Sequence, residues 1–373
     1  MRRILFCPII LLVGFFALLP LFFSAQAAYR FANFKGRPPI HKFGGVSATP
    51  LGLSPDQVKR AYKLPSSGGS GTIAIIGAYD DATIEKDLNT FSQQFHLPPC
   101  TTSNGCFTKH LTSGTKSDSG WAMETSLDVE WSHAIAPQAK ILLVEAKTPS
   151  GQNLLDAVDY AHKQPGVVAI SMSWGGAEFS DETKLDNHFI DASGKITFFA
   201  SSGDNGSGAS WPAASPNIVA VGGTKLVFSK DGSVSSETAW NGSGGGVSAY
   251  EPEPQHQIDY SITKAQGHRA IPDVAYNAAP ESGFSIYLTT AKSKKGWYVV
   301  GGTSAGAPQW AAIKALGLSA DNDKFYADKA SVNNSNFFRD IKSGTNGDCG
   351  YYCQARKHYD YVTGLGSPLT ITF

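Results

Sequence analysis

The residues best placed to do chemistry in this sequence are two carboxylates and a serine. Glu124 and Asp128 lie four positions apart within the stretch from Trp121 to Trp131, so a helix projects both from one face. Like charges at that spacing repel on an exposed helix. Beside the apolar Met123, Leu127 and Trp131, the pair points instead to two carboxyls sharing a proton. A solvated acidic face is the plainer reading of this helix taken alone. Ser304 lies in Gly301-Gly302-Thr303-Ser304-Ala305-Gly306-Ala307-Pro308, between an apolar run (297–300) and a helical pattern (309–318). There it meets a helix N-terminus, whose N–H groups and dipole favour a developing negative charge. Pro308 suits a first helical turn, having no N–H to satisfy. The bland alternative is a loop that only caps the helix.

Two nucleophile patterns compete for this serine. Gly302-Thr303-Ser304-Ala305-Gly306 satisfies G-x-S-x-G, the elbow of α/β-hydrolases, and Asp340 and His358 follow in the order those enzymes use. Little chain remains after Ser304 to place both partners on later strand ends. The longer pattern Gly-Thr-Ser-x-x-x-Pro is more specific and resembles the serine loop of subtilisin-like peptidases. Their His-Gly-Thr-His context does not occur in this chain, so an ordinary Ser-His-Asp triad is not expected.

The serine loop together with the Glu124/Asp128 helix resembles the sedolisins, subtilisin-fold peptidases in which glutamate replaces histidine. The resemblance runs from about residue 53 to 368 and includes Leu53 to Tyr62, Ser173-Trp174-Gly175, Ala200 to Asp204 and Thr363 to Gly366. It implies that Glu124 takes the proton from Ser304 and that Asp128 orients and polarises Glu124. Asp204, which by composition alone reads as a turn residue in Gly-Asp-Asn-Gly, is implied to be an oxyanion-hole aspartate. Such an aspartate donates only while protonated, so acidic operation follows. Ser173, Trp174 and Gly175 are implied to bind substrate. The resemblance also implies one structural calcium ion held by Asp340, Ile341, Arg356, His358 and Asp360, through two carboxylates and backbone carbonyls. Arg356 and His358 stand where the family has glycines. Sedolisins also carry a large N-terminal propeptide, whereas here only a short arm precedes the peptidase region. His133, on the carboxylate helix, is read as structural.

Short apolar runs at 72–79, 140–146, 167–174, 196–201 and 218–221 predict strands buried on both faces. Helical spacing occurs between them at 85–95, 124–134, 154–162 and 182–191. The expected fold is α/β, a subtilisin-like parallel sheet flanked by helices on both faces in a single catalytic domain. Right-handed crossovers would gather the strand ends, and with them the loop motifs, along one edge. Beyond residue 224 the chain reads as looser, with irregular loops and shorter strands as far as 297.

Residues 1–27 have the form of a secretory signal, with Arg2 and Arg3, a long apolar run and Ala25-Gln26-Ala27 as the cleavage site. Residues 28–52 read as an irregular arm and 53–373 as the peptidase domain. Charged residues make up 17% of the chain and the formal net charge is zero, with no basic patch, which argues against nucleic acid as a partner. In an exported chain, Cys100, Cys106, Cys349 and Cys353 suggest two local disulfides, Cys100–Cys106 and Cys349–Cys353. A zinc site would need different spacing. The expected protein is a secreted monomer that cleaves proteins or peptides, with no stable membrane association after signal cleavage. The rivals are a secreted esterase using Ser304, Asp340 and His358, and an inactive relative that binds peptides.

Overall fold

Runs of isoleucine, valine and alanine build the centre of the molecule. The computed structural model describes residues 31–114, 116–289, 294–318, 320–327 and 337–369; the expected signal at 1–27 lies outside them. The strands that matter here are β1 (His41–Ser47), β2 (Thr72–Ala78), β3 (Phe107–Leu111), β4 (Lys140–Ala146), β5 (Val167–Met172), β6 (Thr197–Ser201), β7 (Ile218–Phe228), β8 (Val234–Ala239), β9 (Val274–Asn277), β10 (Phe284–Leu288) and β11 (Gly296–Gly301). The main sheet has the order β8-β7-β6-β5-β2-β4-β3, with β9 pairing on β7. Every neighbouring pair is parallel except β8 with β7.

Each central strand alternates its side chains between two apolar layers. Ile73 and Ile75 of β2 enter one core cluster, while Ala74 and Ile76 enter the other. That is why these strands read as continuous hydrophobic runs rather than as an alternating pattern. The helices covering the sheet are α1 (Ile84–Gln94), α2 (Ser119–Ile135), α3 (Gly151–His162) and α4 (Gly306–Ala315). α2 starts where the Asp118 side chain accepts from the N–H groups of Gly120 and Trp121 at 2.9 and 3.1 Å, the usual device for satisfying a first turn. From Glu124 onward α2 is buried on every side, and α4 is almost wholly buried too. Helices without a polar face belong in the interior.

Three elements differ from their sequence reading. Residues 182–191 are not an α-helix; a 3₁₀ segment covers Glu182–Phe189. The chain beyond 224 is more ordered than its composition suggests: β7 continues to Phe228 and pairs with β8, and β9 joins the main sheet. Lys225 breaks the apolar run in β7 and β9 is only four residues long, so neither leaves a pattern long enough to read. The arm at 28–52 is not irregular throughout, because β1 pairs antiparallel with β11, His41 opposite Gly301.

Both expected disulfides, Cys100–Cys106 and Cys349–Cys353, are formed. His133 lies close to the first of them, yet with its sulfurs bonded to each other the cluster offers no thiolate to a metal. The His133 ring contacts the Pro98 carbonyl at 2.8 Å, and burial lowers its pKa, which suits a neutral structural histidine. No helix among the described residues is long and apolar enough to cross a membrane.

Candidate active site

Loops after the parallel strands β5 and β6 carry Ser173–Gly175 and Asp204, whereas Ser304 follows β11, which belongs to a separate antiparallel sheet with β1 and β10. β11 runs into Gly302, a 3₁₀ turn at Thr303–Ala305 and then α4, which places Ser304 at the start of a buried helix. Gly302 has φ +124°, and a Cβ there would lie 2.1 Å from the Pro39 carbonyl oxygen and 2.5 Å from Asp204 Oδ2. Glycine is therefore required at this position by both conformation and space.

α2 passes beneath this turn and presents Glu124 and Asp128, which are 2% and 1% exposed; Ser304 is fully buried. Ser173, just beyond β5, ties the groups together. Its Oγ lies 2.9 Å from Asp128 Oδ1 and 3.2 Å from the Ser304 carbonyl oxygen, able to donate to either. Burial raises the Glu124 pKa well above the ordinary carboxylate value, and the Asp128 charge raises it further; the Ser304 hydroxyl pulls it back. Asp128 is pushed up to about 8, chiefly by burial, against hydrogen bonds from Ser173 and Glu124. The two carboxyls thus hold at least one proton between them near neutrality. Neither Glu124 oxygen nor Ser304 Oγ makes a hydrogen bond of ordinary geometry. The serine hydroxyl is within electrostatic reach of the Glu124 carboxyl without a closed hydrogen bond.

Asp204 comes from the loop after β6, and its side chain is 5% exposed. Its Oδ1 accepts from both the N–H and the hydroxyl of Thr303, each at 2.8 Å. Oδ2 is left facing Gly302 and the ring of His41, whose Nε2 lies 3.1 Å away. Burial raises the Asp204 pKa more than His41 and Thr303 lower it. A proton on this carboxyl belongs on Oδ2, the oxygen that Thr303 does not occupy, aimed at the space beside the serine turn.

The three residues expected to bind substrate divide into separate roles. Ser173 supports Asp128, Trp174 is fully buried in a core layer, and Gly175 alone lines the cleft. That cleft measures about 990 Å³ and is lined by Gly175–Phe179, by the Ser202–Ser210 loop and by the arm between Asn33 and His41. Asp340 and Asp360 bracket one turn far along the chain. The backbone N–H of His358 donates to Asp340 Oδ1 at 3.1 Å, and that of Arg356 to Asp360 Oδ2 at 3.0 Å. The tie between Asp340 and His358 thus runs through the backbone; among the described residues no imidazole bond to Asp340 links them into a relay for Ser304. Thr303 and His41 were not among the residues singled out from sequence. Thr303 lies within the serine motif and could have been suspected, whereas nothing in the arm marks His41.

Residues 110–335 match the Peptidase_S8 model, which describes the subtilase family. Kumamolisin of Bacillus sp. (strain MN-32) is 33% identical over 87% of this chain, and sedolisin of Pseudomonas sp. (strain 101) is 27% identical over 88%. Among solved structures, Pseudomonas sedolisin, a serine-carboxyl proteinase complexed with two molecules of pseudo-iodotyrostatin, superposes with a TM-score of 0.72 at 28% identity, covering 86% of this chain and 96% of that one. The chain belongs to the subtilase family, in its sedolisin branch. It spans 63% of the length of each of the two curated relatives. Subtilase membership explains the glycine-rich serine turn leading into a buried helix.

Proposed function

We propose that this chain is a secreted serine-carboxyl endopeptidase that hydrolyses protein or peptide bonds in acid. The observation that carries the reading is the buried Glu124–Asp128 pair on α2, held by Ser173 and within reach of Ser304. Ser304 Oγ attacks the scissile carbonyl while Glu124 takes its proton, and the neighbouring Asp128 carboxyl orients and polarises Glu124. Protonated Asp204 donates from Oδ2 to the oxyanion. Glu124 then returns the proton to the leaving amine, and water, activated by the same carboxylate, releases the acyl group. Gly175 offers its backbone to an extended substrate strand.

Calcium at Asp340, Ile341, Arg356, His358 and Asp360 belongs to the same proposal. Asp360 is 2% exposed, and its pKa is pushed up by burial; a cation beside it would offset that cost. The Asp360 oxygens already accept backbone N–H groups, so the ion would be added to an organised turn rather than create one. Its contribution would be structural.

Hydrolysis of an internally quenched peptide and of denatured protein tests the reading. Wild type should cut both in acid, while Ser304→Ala and Glu124→Ala should cut neither at an unchanged melting temperature. Substantial turnover by Glu124→Ala would remove the base assignment.

A further inference from the structure

Away from the serine turn, three groups that suit a soft metal meet near the C-terminal end of α2. The sulfurs of Cys100 and Cys106 and a ring nitrogen of His133 all lie within 4.8 Å of one another. Cys100 and His133 are fully buried, and Cys106 is half-buried beneath an exposed turn at Thr102 to Gly105. The imidazole has one nitrogen committed and one free. Nε2 lies 2.8 Å from the Pro98 carbonyl oxygen and so carries the proton, whereas buried Nδ1 has no partner among the described residues. A backbone carbonyl that holds one N–H and leaves the other nitrogen its lone pair is the usual support of a metal-ligating histidine. The C-x5-C spacing of the cysteines carries no zinc signature by itself, because the third ligand comes from a helix later in the chain.

The two cysteines do not depend on their disulfide to stay close. Asn104 Oδ1 accepts from the N–H of Thr101 at 3.1 Å and from that of Cys106 at 3.0 Å, and Asn104 Nδ2 donates to the Pro99 carbonyl at 2.9 Å. The Phe107 N–H donates to the Thr101 carbonyl at 3.1 Å, and the Ile141 N–H to the Cys106 carbonyl at 2.8 Å, where β3 joins β4. The turn is therefore organised by its own hydrogen bonds, and opening the S–S bond leaves both sulfurs beside His133.

We propose that Cys100, Cys106 and His133 form a redox-gated zinc site, closed while the disulfide is intact and open once it is reduced. An external dithiol supplies two electrons and two protons; it leaves as its own disulfide, and Cys100 and Cys106 become thiols. A zinc ion then displaces both thiol protons into solvent, forming two Zn–S bonds and one Zn–N bond to His133 Nδ1. A water on the half-buried Cys106 side completes the tetrahedron. Two thiolates balance the divalent charge, so the Lys59 ammonium, whose field reaches His133, does not oppose the ion. The exchange changes what the turn is tied to. The disulfide closes it on itself, whereas zinc fastens it to α2, the helix that carries Glu124 and Asp128. This site is independent of the peptidase reading.

The full chain should be tested with Ser304→Ala, so that it cannot cut itself. It is reduced with a dithiol, freed of it by gel filtration without oxygen at neutral pH, and titrated with zinc chloride beside the oxidised protein. Cys100→Ser in the same background keeps the other cysteines and so subtracts any zinc they take. The reduced protein should hold one zinc more than reduced Cys100→Ser, and the oxidised protein none at this site. His133→Gln should weaken that zinc by about a hundredfold or more. Zinc should also raise the melting temperature of the reduced protein and not that of reduced Cys100→Ser. X-ray absorption at the zinc edge, with less than one equivalent loaded, needs no ligand variant. It should show two sulfurs at about 2.3 Å and a nitrogen at about 2.0–2.1 Å. Equal zinc in reduced wild-type cysteines and Cys100→Ser, equal zinc before and after reduction, undiminished affinity in folded His133→Gln, or a zinc shell without nitrogen would each overturn the site. Where His133→Gln does not fold, the absorption spectrum decides.

Discussion

Glu124 and Asp128 sit side by side with almost no access to water, and two carboxylates so placed cannot both ionise at ordinary cost. In the proposed mechanism their shared proton lets a weak carboxylate base act on Ser304, so nucleophile and base should fail together. Ser304→Ala and Glu124→Ala are each expected to reduce kcat to background in the quenched-peptide assay. Asp128→Asn keeps a hydrogen-bonding amide without the charge and should leave weak activity. Asp204→Ala, which cannot donate, should lose about 100- to 1,000-fold in kcat, the usual result of removing an oxyanion donor. At this scale the sequence was informative wherever the chemistry lies in short contiguous patterns: the i, i+4 carboxylates on α2, the serine loop and the aspartate after β6. It was silent on contacts made across long separations. Ser173 reads as part of a substrate motif, yet its hydroxyl reaches Asp128 45 residues away. His41 meets Asp204 only because β1 pairs with β11, and no local pattern in the arm announces that pairing.

The elements that carry these residues were legible in proportion to their burial. Strands β2, β4, β5 and β6 are apolar on both faces and were placed within a few residues. β3 at the sheet edge mixes Thr108, Lys109 and His110 with apolar neighbours and left no such run. The turn between β11 and α4 depends on the missing side chain of Gly302. Gly302→Ala should abolish activity, since its methyl group would intrude on both Asp204 Oδ2 and the Pro39 carbonyl at a φ that alanine disfavours. A folded Gly302→Ala protein with wild-type kcat would show that this turn does not set the site. For the turn from Asp340 to Asp360, excess chelator should lower the melting temperature if calcium is bound, because a ligand held only by the folded state stabilises it by mass action. An unchanged melt, with no metal found by elemental analysis, would count against the ion.

Across the whole molecule, four buried carboxyls outside the site share one property. Asp81 is raised to about 6, Glu145 to about 7, Glu251 to about 8 and Glu182 to about 9, each mainly by burial. Folding therefore favours their protonated forms. The stability they contribute is complete below the ordinary carboxylate pKa and is lost as pH rises through the folded values, between about 6 and 9. Melting temperature measured in constant ionic strength should accordingly fall by several degrees over that window; a melt that rises from acid to mildly alkaline pH would contradict this. The same logic joins stability to the proposed mechanism, in which Asp204 works only with its proton and Glu124 only after giving one up. The most direct test is the pH dependence of kcat for wild type and Asp204→Asn on denatured protein. The wild-type profile should be a bell with its maximum in acid, and Asp204→Asn, whose amide donates at every pH, should retain its residual activity further toward neutrality. A wild-type optimum at or above neutral pH would contradict the serine-carboxyl mechanism.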